Sequence, residues 1–184
     1  MKRKLLLYLC LATLTQCSKC KNDPAPADPA SQLPPATQTG ANTFGCLVNG
    51  QPYTPSGNNG RANYAVLYDP GFQGGSLQVR TYRYPESNSN KNQYLVVGGI
   101  NINRVAKFLI GPGNDAGAFF TDDYRTAPCN DYDSSQAGTF SKGTLTITRL
   151  DLQAHIVSGT FEFVLTQPGC DTLKVTQGRF DKKL

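Results

Sequence analysis

From residue 43 to the end of the chain, apolar and polar residues alternate in short runs. Gly, Pro, Asn and Asp interrupt the runs at short intervals. The last third shows the pattern best. In Thr144-Leu145-Thr146-Ile147-Thr148, Leu145 and Ile147 fall on one face. In Thr160-Phe161-Glu162-Phe163-Val164-Leu165, the same holds for Phe161, Phe163 and Leu165. Strict alternation over several residues is the signature of a half-buried strand.

Earlier runs follow suit. Residues 44–48 lead into Asn49-Gly50, a two-residue hairpin signal, with 51–54 returning. Further strands are predicted over 64–68, 76–84, 93–102, 105–110 and 118–122. Gly98-Gly99 softens one of them and marks a bulge or a close approach of backbones. Residues 151–154 read as a turn, and 172–176 and 178–180 as the last extended segments. No segment in this region has a helical period. Roughly eight to ten short strands joined by short turns predict a single all-β domain built as an antiparallel meander. It is either a β-sandwich or a flattened, lipocalin-like up-and-down barrel, and periodicity does not distinguish them.

The N-terminus has a different texture. Lys2, Arg3 and Lys4 precede a short apolar run, which closes on Leu14-Thr15-Gln16-Cys17. Charge, apolar run and processing site, in that order, make a secretory signal. The run is about ten residues long, and a spanning helix needs about twenty. A cysteine at the processing site fits a lipoprotein signal over residues 1–16, with Cys17 acylated as the new N-terminus. Residues 17–43 carry Pro24, Pro26, Pro29, Pro34 and Pro35 among Ala, Ser, Thr and Asp. That composition predicts a disordered, extended tether. The domain proper is then 44–184.

Charge adds one exclusion. The full chain has 18 basic and 13 acidic residues. Three of the basic ones leave with the signal, so the mature chain is nearly neutral. Without a basic cluster, nucleic acid is not an expected partner.

Of six cysteines, Cys20, Cys46, Cys129 and Cys170 remain for an oxidising compartment. Four thiols allow three pairings. Cys129 and Cys170 each sit beside a turn signal, Ala127-Pro128 and Pro168-Gly169, and are the expected disulfide. Cys46 lies in an apolar run and suits a buried free thiol.

Candidate chemistry is sparse. His155 is the only histidine, with Asp151 and Ser158 close in sequence, but no nucleophile elbow accompanies it. Asp122-Asp123 and Asn130-Asp131-Tyr132-Asp133-Ser134-Ser135 gather oxygen ligands without an EF-hand pattern, so a turn-rich loop is expected. No metal, cofactor or catalytic residue is assigned. Arg80, Tyr82 and Tyr84 alternate along one strand and make the candidate binding face.

Four segments carry a family resemblance: Thr43-Phe44-Gly45-Cys46-Leu47-Val48-Asn49-Gly50, Gly143 through Asp151, Ser158-Gly159-Thr160-Phe161-Glu162-Phe163, and Gly169 through Asp181. Together they resemble a family of small Bacteroidetes lipoproteins of unknown function. The resemblance implies a Gram-negative envelope and an all-β domain, and carries over no catalytic residue. Ser18 after the acylated cysteine fits outer-membrane sorting. The expected function is a lipid-anchored, non-enzymatic binding or structural module at the outer membrane, with a protein, a glycan or a small apolar ligand as partner. The alternatives are a lipocalin-like carrier of a small apolar ligand and a glycan-directed hydrolase.

Overall fold

The computed structural model describes residues 28–86 and 90–184. The expected signal peptide of 1–16, Cys17 as the expected site of lipid attachment, Cys20 and the expected tether up to residue 27 lie outside the described residues.

Eleven strands follow a short 3₁₀ turn at Pro29–Gln32. They are β1 (Thr43–Val48), β2 (Gln51–Tyr53), β3 (Tyr64–Asp69), β4 (Ser76–Arg83), β5 (Gln93–Gly99), β6 (Lys107–Ile110), β7 (Ala116–Asp122), β8 (Asp131–Asp133), β9 (Phe140–Asp151), β10 (Ile156–Thr166) and β11 (Leu173–Lys183). All belong to one sheet, in the order β2-β1-β11-β10-β9-β6-β7-β5-β4-β3, with β8 added on β7. The fold is all-β and dominated by antiparallel pairs, and the sheet curls into a half-barrel.

The chain meanders through β3-β4-β5 and again through β9-β10-β11. Between these runs β6 inserts between β9 and β7, touching β7 in parallel at a single pair, Ile110 and Ala116. The other departure joins the ends of the chain, since β1 pairs with β11. Asn49-Gly50 makes the first hairpin, both residues having positive φ, as a type I′ turn requires. Of the eleven strands, β8 is the one that pattern reading misses. Its Asp131-Tyr132-Asp133 looks like loop, yet Tyr132 is fully buried while both aspartates stay accessible.

The two ends of the curled sheet approach one another. Ser56, just past β2, bridges Arg83 at the end of β4. The Phe44 ring of β1 lies 5.7 Å from that of Tyr64 on β3. Inside the curl the alternating residues of every layer meet. Tyr53, Tyr132, Phe120, Phe163, Phe180, Leu77, Leu95 and Leu165 are less than 2% exposed. At one end Arg83 lies over the Tyr53 ring at 4.6 Å, donates to Gln93 Oε1 at 2.6 Å and to Pro52 O at 2.6 Å, and so stops the interior. Cys46 is a free thiol within this core, and burial pushes its pKa upward.

The expected tether of 17–43 is corrected over its second half. Residues 33–41 form a strap across the outer side of β1, β11 and β10. Leu33 is buried, and Pro34 packs on Gly45, where a Cβ would stand 2.7 Å from Pro34 Cδ. Asp181 of β11 clamps the strap. Its carboxylate accepts from Thr37 Oγ1 (2.7 Å) and from the N–H groups of Thr39 (2.9 Å), Gly40 (2.8 Å) and Ala41 (3.0 Å). Ser158 Oγ of β10 adds a bond at 2.7 Å. The Asp181 carbonyl accepts from Tyr64 OH at 3.3 Å, which ties β11 to β3. Composition does not reveal this, because the holding group lies some 140 residues downstream.

The disulfide joins Cys129, in the turn between β7 and β8, to Cys170, in the turn between β10 and β11. The same two turns meet through Tyr132 OH, which donates to Asp171 O at 2.8 Å.

Two outcomes follow. Burial alone would raise the Asp181 pKa, but the hydrogen bonds from Ala41, Thr37, Ser158 and Gly40 hold it well below the usual carboxylate range. A carboxylate with a depressed folded pKa stabilises above the unfolded value near pH 4, and that stability is lost as pH falls below it. Asp181→Asn should therefore lower stability at pH 7 by about 2–3 kcal/mol. The gap between the wild-type and variant urea midpoints should narrow between pH 5 and pH 3. Paired replacement of Cys129 and Cys170 by Ser should cost about 3 kcal/mol, measured by urea denaturation at pH 7.

Candidate functional site

The candidate face lies on the outer side of β3, β4, β5 and β7, and strand register builds it. Antiparallel pairing sets Tyr82 beside Tyr94 and Tyr94 beside Thr121. The next outward row runs Ala65, Arg80, Val96, Phe119 and Asp133. The third runs Leu67, Gln78, Gly98 and Gly117. The residues between these rows, among them Val66, Val79, Val97 and Ala118, point into the core.

The three residues expected to form the face do different things. Arg80 is exposed, and its Nε donates to Gln78 Oε1 at 2.8 Å. Tyr82 is only 7% exposed, because residues 57–61 fold over it. Its OH donates to Arg61 O at 2.5 Å and accepts from Asn59 N–H at 3.3 Å. Tyr84 is half-buried, its ring 5.7 Å from that of Tyr82 and packed against Gly57. Tyr82 and Tyr84 thus shape and hold a loop, and Arg80 alone of the three is exposed, with one edge of its guanidinium, Nε and Nη2, held by Gln78 Oε1.

Other residues complete the surface. Tyr94 and Phe119 meet edge to face with centroids 6.3 Å apart. Phe72, in the loop between β3 and β4, is 55% exposed. Beside it a depression of about 380 Å³ is floored by Gly98 and Gly117. On the far side of Arg80 a second depression, also about 380 Å³, is bordered by Asn59, Arg61, Asn92 and Tyr94. Among the described residues the two ion pairs are Arg125 with Asp122 and Arg149 with Asp151. Neither involves the guanidinium groups of this face. Sequence reading misses Tyr94, Phe119 and Phe72, because they join Arg80 only through cross-strand register and a loop. The Gly98-Gly99 signal marks the place without saying which side of the sheet it opens.

The other candidate groups are engaged elsewhere. His155 is exposed and sits at a turn with φ 56°. Ser158 is turned to Asp181, while Asp151 accepts from Arg149 Nη2 and Ala154 N–H, both at 2.9 Å. No Ser-His-Asp relay forms from these residues. Asp122 accepts from Gln93 Nε2 and Tyr124 N–H, Asp123 from both nitrogens of Asn92, and Asp133 from Ser135. Among the described residues no group of three or more His, Cys, Asp and Glu side chains converges.

Fold and face together define an all-β half-barrel with a filled interior and a polar, aromatic outer surface. Neither a protein-family model, nor a curated protein, nor a solved structure matches the chain.

Proposed function

We propose that this protein is a lipid-anchored, non-enzymatic binding module of a bacterial outer membrane, engaging its partner through the outer face of β4, β5 and β7. One observation carries the binding half of this reading. On that face an exposed guanidinium without a carboxylate partner stands between two depressions lined by aromatic rings and side-chain amides. Such a convergence of ring faces with a few polar groups is what a ligand surface needs. Elsewhere the carboxylates and hydroxyls considered above are spent on internal hydrogen bonds, which favours binding over hydrolysis. The aromatic filling of the curl favours an outer surface over an internal cargo site. The signal pattern ending at Cys17 supports the anchor, and the segments resembling Bacteroidetes lipoproteins support the envelope.

Two measurements test the halves separately. Full-length protein should incorporate labelled palmitate and fractionate with the outer membrane, and Cys17→Ala should lose both; an acylated Cys17→Ala protein would refute the anchor. Detergent-purified full-length protein should be retained on envelope fragments from cells lacking it. Arg80→Glu should weaken that retention at least tenfold while Leu109→Ala, at an exposed side chain of β6, leaves it unchanged. Equal retention of all three proteins would refute the face.

A further inference from the structure

The glycine pair sets the shape of the face. Gly98 and Gly117 are directly opposed on β5 and β7, in the row of the register that lies on the outer side. A Cβ on Gly98 would stand 2.0 Å from Leu77 O, and one on Gly117 would stand 3.1 Å from Ser134 Oγ. Bare peptide planes therefore floor the first depression, with Phe72 and Phe119 as walls and Gln78 and Ser135 at the rim. Tyr94 lies four residues from Gly98 along β5, about 13 Å away at the usual rise of a strand. Arg80 stands between these two points, one strand over. The surface is thus an elongated track with a cation near its middle.

The chemistry of the track selects among occupants. β4, β5 and β7 are each paired on both sides, so their backbones have no free edge for an extended peptide to join. What they offer instead is ring faces, a flat floor of peptide planes, the amide groups of Asn59, Gln78 and Asn92 left over from their bonds to Arg61 N–H, Arg80 and Asp123, and guanidinium groups at Arg80 and Arg61. Asp123 and Asp133, the acids bordering the track, already accept hydrogen bonds from Asn92 and Ser135. A chain of pyranose rings presents C–H faces to aromatic and peptide planes, and hydroxyls to amides. An acidic substituent on the chain supplies the charge that Arg80 lacks.

We infer that the ligand of this face is a short stretch of acidic polysaccharide. One sugar ring lies in the glycine-floored depression against Phe72 and Phe119, and a neighbouring residue places its carboxylate or sulfate on Arg80. This rests on the reading of the face as the binding surface.

The test is calorimetry on detergent-purified full-length protein with matched pairs of oligosaccharides. These are β-1,4-linked tetramannuronate against mannotetraose, α-1,4-linked tetragalacturonate against galactotetraose, and a sulfated chondroitin tetrasaccharide against its desulfated form. At least one acidic member should bind tenfold or more tightly than its less charged counterpart, and weaken as salt rises. Arg80→Ala should erase the difference within that pair. Phe72→Ala should weaken both members at least fivefold. Both side chains are exposed, so neither variant challenges the fold. Equal binding of the more and the less charged member of every pair would overturn the assignment of charge. If no member of the panel binds while Arg80→Glu still abolishes retention on envelope fragments, the sugar assignment falls and the face remains a binding surface. If retention is also unaffected, both fall.

Discussion

The order of the strap over β1, β11 and β10 hangs on the Asp181 carboxylate. A charge on a nearly inaccessible side chain is costly unless hydrogen bonds replace the water it has lost. Here donors from Thr37, Thr39, Gly40, Ala41 and Ser158 surround both oxygens. The cost of burial and the order of residues 33–41 are therefore one fact. The strap is ordered because the charge needs its N–H groups, and the charge is tolerated because the strap supplies them. The adjoining carbonyl, holding Tyr64, carries the same constraint to the opposite end of the sheet.

Core and face share a single register. Each inward residue of β4, β5 and β7 has outward neighbours, so the packing of Val79, Val97 and Ala118 also fixes Arg80, Val96 and Phe119. A slip by one residue would exchange the two sets. The interior is filled by large aromatic side chains, and the outer surface keeps the groups that the core does not use.

Legibility in the sequence followed the range of the interactions. Strands such as β4, β9 and β10 announce themselves, because alternation is local and their cross-strand partners only reinforce it. The Cys129–Cys170 pairing was readable because both residues flank turns. β8 was not, since one buried tyrosine between two aspartates is too short to show a period. The ordered strap was hidden because its determinant is Asp181, far along the chain. The candidate face was half legible. Arg80 shows in the alternation of β4, but the covering of Tyr82 by residues 57–61 and the arrival of Phe119 and Phe72 depend on tertiary register.

The position of the clamp also sets a load path. A pull on the chain along residues 28–36 first meets the packing of Leu33 and Pro34 on β1 and then the carboxylate of Asp181, which holds residues 37–41. That carboxylate belongs to β11, which is flanked by β1 and β10. The force is therefore shared among several short hydrogen bonds stretched together, rather than opening the β1–β11 ladder one bond at a time. Set upstream of its first strand, the domain has a strain relief like the grip where a cable enters its housing.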